Sequence, residues 1–167
     1  GPGQLAVYVG INGHFAGTIV MSDHARDDAR ETMTELAEMG VGKRVIFSGD
    51  VTETVSHIAQ AVGIDDVYAE CLPEDKVRLM LDLPERPVLM VGDGLNDAPA
   101  LAAAHASLSP STAADITQTA ADVVFQGDRL SPVIEVLKVA RASQRMSLEN
   151  FGIALAYNVV SVPMAMM

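Results

Sequence analysis

The run Val88-Leu89-Met90-Val91 passes without a break into Gly92-Asp93-Gly94-Leu95-Asn96-Asp97-Ala98-Pro99, and this junction constrains the fold more than any other part of the chain. A short apolar run bounded by glycine reads as a strand buried on both faces, the habit of a parallel sheet. Glycines on either side of Asp93 permit a sharp turn and a close approach of backbone to ligand. The spacing of Asp93 and Asp97 lets both carboxylates reach one cation at the carboxyl end of the strand, where ligands bind in open α/β sheets. The pattern points to a Mg²⁺-assisted phosphoryl-transfer site.

The remaining sequence alternates strand and helix around that junction. Leu5 to Ile11 and His14 to Met21 flank Asn12-Gly13, a hairpin turn signal because both residues tolerate positive φ. Arg26 to Met39 reads as an amphipathic helix with Ala29, Met33, Leu36 and Ala37 facing inward, and Gly40 ends it. Arg44 to Phe47 is a short buried strand, Val51 to Val62 a helix stopped by Gly63, and Val67 to Ala69 a brief strand. Pro73 opens a further helix at its first turn. Beyond the acid pair follow a helix over Asp97 to Ala104, a strand over Ala106 to Leu108, a short helix from Thr112 and a strand at Val123 to Phe125. Such alternation predicts an α/β fold built on an open parallel sheet with helices on both faces.

At 167 residues the chain can hold one such domain and an appendage, not two full domains. The balance of 11 basic to 22 acidic residues, a net charge of −11, argues against a nucleic-acid surface and suits a soluble cytosolic face. The single cysteine, Cys71, leaves no disulfide framework and reads as a small buried hydrophobe in a reducing compartment. His14, His24, His57 and His105 fall in different elements and form no ligand spacing. Asp27-Asp28 reads as a solvated helix start suited to the helix dipole. The amino-terminal Gly1-Pro2-Gly3-Gln4 has no signal-peptide pattern and reads as a cut end.

From Pro132 one helix is expected to run through Arg141 and Arg145 into Phe151 to Met167, a stretch with no charged residue. A spanning helix needs roughly 20 apolar residues. The tail therefore reads as most of a transmembrane helix, with the basic residues before it on the cytosolic side. The competing reading is a buried terminal helix of a soluble domain. Met164, Met166 and Met167 read as lipid-facing filler rather than metal ligands.

Three features fall at or just beyond the carboxyl ends of predicted strands: Ser48-Gly49-Asp50, Lys76 in Pro73-Glu74-Asp75-Lys76, and the Asp93/Asp97 pair. A hydroxyl can donate to a phosphoryl oxygen, a lysine can neutralise developing charge, and two carboxylates can hold Mg²⁺. Taken singly, Lys76 would be a solvated helix residue and Ser48 a cap of the following helix. Gly92-Asp93-Gly94 could also begin a dinucleotide fingerprint with Asp115 as its ribose acid, but Asp97 stands where the third glycine is required.

In this order and spacing the chain resembles the haloacid dehalogenase (HAD) superfamily, and within it the phosphorylation domain of P-type ATPases, whose Gly-Asp-Gly-x-Asn-Asp-x-Pro hinge motif stands unbroken from Gly92 to Pro99. Ser48-Gly49-Asp50 in place of Thr-Gly-Asp, the Pro-x-Asp-Lys stretch and the Asp23-x-x-Arg26 opening match as well. The resemblance implies that Asp93 holds Mg²⁺ with Asp97 in support, that Ser48 and Lys76 steady the phosphoryl group, and that Gly49, Asp50, Gly94 and Asn96 complete the cofactor-binding loops. The family's nucleophile motif, Asp-Lys-Thr-Gly-Thr, does not occur here. Asp50-Val51-Thr52 is a substitute in form only, because Gly49 precedes it and no Gly-Thr follows.

Asn150-Phe151, Tyr157-Asn158 and Pro163 resemble the membrane helix after this domain in copper-transporting ATPases, with wording similar to the FixI/CcoI group. That likeness implies Tyr157 and Asn158 as residues on a Cu⁺ path. It implies the end of a nucleotide-binding domain over 1–22, a HAD-like domain lacking its nucleophile strand over 23–131, a stalk helix over 132–150 and a truncated span over 151–167. The expected partners are the nucleotide-binding, actuator and membrane domains of the same polypeptide, the lipid bilayer and a copper chaperone. ATP would be bound mainly outside this segment, and residues 1–150 would face the cytoplasm beneath a bacterial inner or plasma membrane. The alternatives are a soluble HAD-type phosphatase, which needs a nucleophile within these residues, and a regulatory module that kept the sheet and lost catalysis.

Overall fold

The structure is a computed structural model and describes residues 4–22 and 24–166. Two compact units divide it, Gly1–Ser131 and Pro132–Met167. The first opens with an antiparallel hairpin of β1 (Gln4–Ile11) and β2 (His14–Ser22). At its tip Asn12 and Gly13 take φ of 51° and 79°, the primed turn that suits the twist of paired strands. Val7, Tyr8, Ile11, Phe15, Ile19 and Val20 are all exposed on this ribbon.

The α/β part follows as α1 (Ala29–Glu38), β3 (Val45–Phe47), α2 (Thr52–Val62), β4 (Asp66–Tyr68), α3 (Pro73–Leu81) and β5 (Leu89–Val91). A 3₁₀ turn over Leu95–Asp97 leads into α4 (Ala98–Ala103), β6 (Ala106–Pro110), α5 (Asp115–Ala120) and β7 (Val123–Phe125). All pairings here are parallel, as the alternation predicts, but the sheet comes in two pieces, β3 with β4 and β5 with β6 and β7. Among the described residues β3 and β5 each pair on one edge alone. Met80, Met90, Ala100 and Leu101 form a buried cluster against which Phe47 of β3 and Val88 pack, so both pieces share one core. Full burial of side chains the size of Met80 and Leu101, each 1% exposed, contributes about 1.5–3 kcal/mol apiece.

Several expectations are corrected by packing. Helix α1 starts at Ala29 rather than Arg26, because Arg26 and Asp28 commit their side chains to distant groups. Its buried face is Ala29, Thr32 and Leu36; Met33 is half-buried and Ala37 exposed. Asp28 is no freely solvated helix start, since its carboxylate accepts the backbone N–H groups of Leu130 and Ser131 at 2.9 and 2.8 Å. Strand β3 is half-buried along its length, as expected of a strand paired on one side. Cys71 is buried; desolvation, helped by the Asp75 charge, pushes its thiol pKa up and keeps it protonated.

The second unit continues α6 (Ser131–Met166), which contains Pro163. Its apolar end is exposed at Phe151, Ile153, Leu155, Tyr157, Val159, Val162, Met164 and Met166. Among the described residues no helix is long and apolar enough to cross a membrane. Tyr157, Asn158, Ser161 and Pro163 interrupt the apolar run; Met167, counted in the expected span, lies outside the described residues.

Candidate active site

Strand β5 ends at Val91, and Gly92 donates its N–H to the Leu108 carbonyl at 3.1 Å, extending the ladder one residue beyond the strand. The chain then folds over Asp97. A Cβ on Gly92 would lie 2.8 Å from the Asp97 Cβ, and one on Gly94 3.0 Å from Asp97 Oδ2. Gly92 is therefore required by close approach, a different use of glycine from the turn at Gly13. Asp97 Oδ2 accepts the Gly94 N–H at 3.0 Å, and Thr117 of α5, fully buried, donates to the Gly94 carbonyl at 3.0 Å.

Lys76 projects from α3 onto the other oxygen of Asp97, with Nζ 2.6 Å from Oδ1. Both side chains are nearly buried, 10% and 13% exposed, so the pair is dry and charge-assisted. The structure brings Lys76 into direct contact with Asp97, and Lys76 is buried rather than a solvated helix residue. Asp93 differs. Its side chain is 57% exposed, and Oδ2 lies 2.6 Å from Arg26 Nη2. Arg26 also donates through Nη1 to the Asp128 carbonyl at 2.7 Å. Asp23, the other end of the expected opening motif, lies outside the described residues.

Ser48 sits just beyond β3. Its hydroxyl donates to Asp50 Oδ2 at 2.7 Å and accepts the Asp50 N–H at 3.2 Å. It does not cap α2, whose N-cap is Val51. The Ser48 loop is laced to the segment that leads into α3: Cys71 N–H to the Ser48 carbonyl and Glu70 N–H to the Asp50 carbonyl, both 2.9 Å, and Thr52 Oγ1 to Glu70 Oε1, 2.9 Å. Glu70 takes φ 54° to make this bridge. Gly49 lies exposed against the Cys71 carbonyl, where a Cβ would come to 3.4 Å. Asn96 is exposed on the 3₁₀ turn. Tyr157 and Asn158 are exposed on α6, in the other unit.

The donor set can be tested against Mg²⁺. Among the described residues no group of three or more His, Cys, Asp or Glu could cage a metal. Asp97 has both oxygens engaged, whereas Asp93 is exposed at the strand end. A hard cation that keeps several waters and is held by one or two carboxylates plus substrate phosphate fits this set. Sequence reasoning placed the acids, Lys76 and Ser48; it missed Thr117 and the Thr52–Glu70 bridge. Neither has a local signal, because each matters only through a contact made by the folded chain.

The parallel α/β core carries a lysine–carboxylate pair and an exposed acid at one strand end, and the chain belongs to the haloacid dehalogenase-like hydrolase family, whose model matches residues 2–105. Over a shorter share of their own length, it is similar to proteins that include heavy-metal P-type ATPases. The nitrogen fixation protein FixI of Rhizobium leguminosarum bv. viciae is 44% identical over 156 residues, 92% of this chain and 20% of that protein. A copper-exporting P-type ATPase of Mycobacterium tuberculosis (strain ATCC 25618 / H37Rv) is 38% identical over 165 residues, 98% of this chain and 22% of that protein. A zinc-transporting PIB-type ATPase, solved in the E2P state, superimposes with a TM-score of 0.77 at 33% identity, over 96% of this chain and 27% of that one. The chain thus spans about one fifth of the length of the curated relatives it matches.

Proposed function

We propose that this chain is the nucleophile-free part of the phosphorylation domain of a Cu⁺-transporting P-type ATPase, joined to the helix that leads into its membrane region. The observation that carries the reading is the buried Lys76–Asp97 pair set beside the exposed Asp93 at the end of β5. In it, Lys76 offers fixed positive charge to a transferring phosphoryl group, and the Ser48 hydroxyl, turned from Asp50, donates to a phosphoryl oxygen. Asp97 holds Lys76 and the Gly92–Gly94 backbone in place. Asp93, with Asp97 behind it, is the group that would hold Mg²⁺; when bound, that ion would neutralise phosphoryl charge and bridge it to the protein.

The single-sided pairing of β3 and β5 supports a further strand of the same polypeptide between them, carrying the acceptor aspartate to the same edge. The exposed apolar residues of the β1–β2 hairpin support its burial in a nucleotide-binding domain that takes up ATP. The charge-free end of α6 supports entry into a bilayer beneath which 1–150 face the cytoplasm, with Tyr157 and Asn158 on the Cu⁺ path and a copper chaperone as donor. An asparagine within a span is costly unless it has a partner or a function.

The test uses the complete polypeptide, incubated with radiolabelled ATP, Mg²⁺ and Cu⁺ and quenched in acid. A hydroxylamine-sensitive phosphoprotein is expected, labelled on a peptide outside these residues, lost in Asp93→Asn and losing its Cu⁺ stimulation in Asn158→Ala. Label recovered on Asp50, or on any peptide of this segment, would sink the reading in favour of a self-contained phosphatase.

A further inference from the structure

Asp93 is presented to solvent, yet one of its oxygens is already matched by a cation. Arg26 reaches it from the segment between β2 and α1, and the guanidinium is positioned by two acceptors, Asp93 Oδ2 at 2.6 Å and the Asp128 carbonyl at 2.7 Å. The backbone carbonyl aims the fork independently of the carboxylate, a geometry that arginine offers and lysine does not. Two residues on, Asp28 accepts the N–H groups of Leu130 and Ser131, so the same short segment is pinned at both ends to the turn after β7. Burial tends to raise the Asp28 pKa, and these N–H bonds outweigh it and lower the pKa overall.

We propose that Arg26 is a stand-in cation for Asp93, exchanged for the divalent ion when the site is loaded, and that it thereby sets the site's metal affinity. The proposal rests on Asp93 being the metal-holding acid. Arg26 and a divalent ion compete for the charge of the same carboxylate, and an ion bound through both oxygens would need the one that Arg26 holds. Asp97 is less available, because Lys76 and the Gly94 N–H already engage both of its oxygens. Without metal, the ion pair keeps Asp93 oriented and spares it unbalanced charge at a strand end. With metal, Arg26 keeps its Asp128 anchor and loses the other. Arg26 is a positioning residue: it touches the acid that would hold the metal and no reacting atom.

The sign of its effect separates this role from a merely structural one, since a structural loss weakens metal binding and removal of a competitor strengthens it. The experiment titrates the full chain with Mn²⁺ alone and follows free Mn²⁺ by electron paramagnetic resonance. Arg26→Gln is expected to tighten binding roughly two- to fivefold, the range of a partly exposed ion pair. Arg26→Lys, which keeps the charge without the fork, should give a smaller gain in the same direction and serves where Arg26→Gln does not fold. Asp93→Asn should abolish the binding in either background. Equal, weaker or undetectable Mn²⁺ binding in the folded Arg26 variants overturns the exchange while leaving Asp93 as the metal acid. Mn²⁺ binding that survives Asp93→Asn overturns both.

Discussion

Asp93 and Asp97 share one loop and live in opposite surroundings. Asp97 is nearly buried, closed against Lys76 and the Gly94 N–H; Asp93 is more than half exposed and held by Arg26. Breaking a dry ion pair leaves a charge with no solvent to compensate it, whereas an exposed pair exchanges partners at little cost. The difference divides the labour of the site. One acid is framework, fixing the loop and the lysine; the other is a replaceable ligand.

The framework side is tested hardest by Lys76→Ala, which strands the Asp97 carboxylate and should cost about 3–5 kcal/mol in urea unfolding. Restoration of most of that loss by Lys76→Met with Asp97→Leu would show that the pair specifies geometry more than it stabilises; a loss under about 1 kcal/mol for Lys76→Ala would erase the distinction between the acids. Gly92→Ala comes next, since its Cβ would meet the Asp97 Cβ at 2.8 Å, and overpacking of this kind should cost about 1–3 kcal/mol. Thr117→Val removes the donor to the Gly94 carbonyl and is expected to cost about 1 kcal/mol, with the loop's amide protons exchanging faster.

The Arg26 side should respond weakly and differently. The Asp28 carboxylate lies below its usual 3.8. A depressed carboxylate stabilises the fold above pH 3.8, and that contribution fades as pH falls through the lower folded value. Acid unfolding curves of Asp28→Asn should therefore be flatter below pH 3.8 than those of the parent. Smallest is Arg26→Gln without metal, under about 1 kcal/mol and shrinking further in salt. A larger, salt-insensitive loss would make the Arg26–Asp93 pair framework too.

Much of this is legible in the sequence. The hairpin turn at Asn12-Gly13, the alternating α/β order and the strand before Gly92 follow from local periodicity and turn chemistry, which act within a few residues. The edges of α1 were not legible, because Arg26 and Asp28 bond to residues about a hundred positions away. Thr32 rather than Met33 faces the core for a similar reason: the angle at which α1 lies on its neighbours selects the buried stripe.

By itself the sequence determined which groups stand at the strand ends, the acid pair, the lysine and the serine loop, since glycine placement and apolar runs set where strands stop. The tertiary structure alone decided what each group became. Lys76 is separated in sequence from Asp97, and only the packing of α3 on α4 and β5 in a common core brings Nζ within 2.6 Å of Oδ1. Asp93, in the same motif, was left to solvent and to Arg26. Burial differs between positions that the sequence writes alike, and burial decides whether a carboxylate is locked or exchangeable.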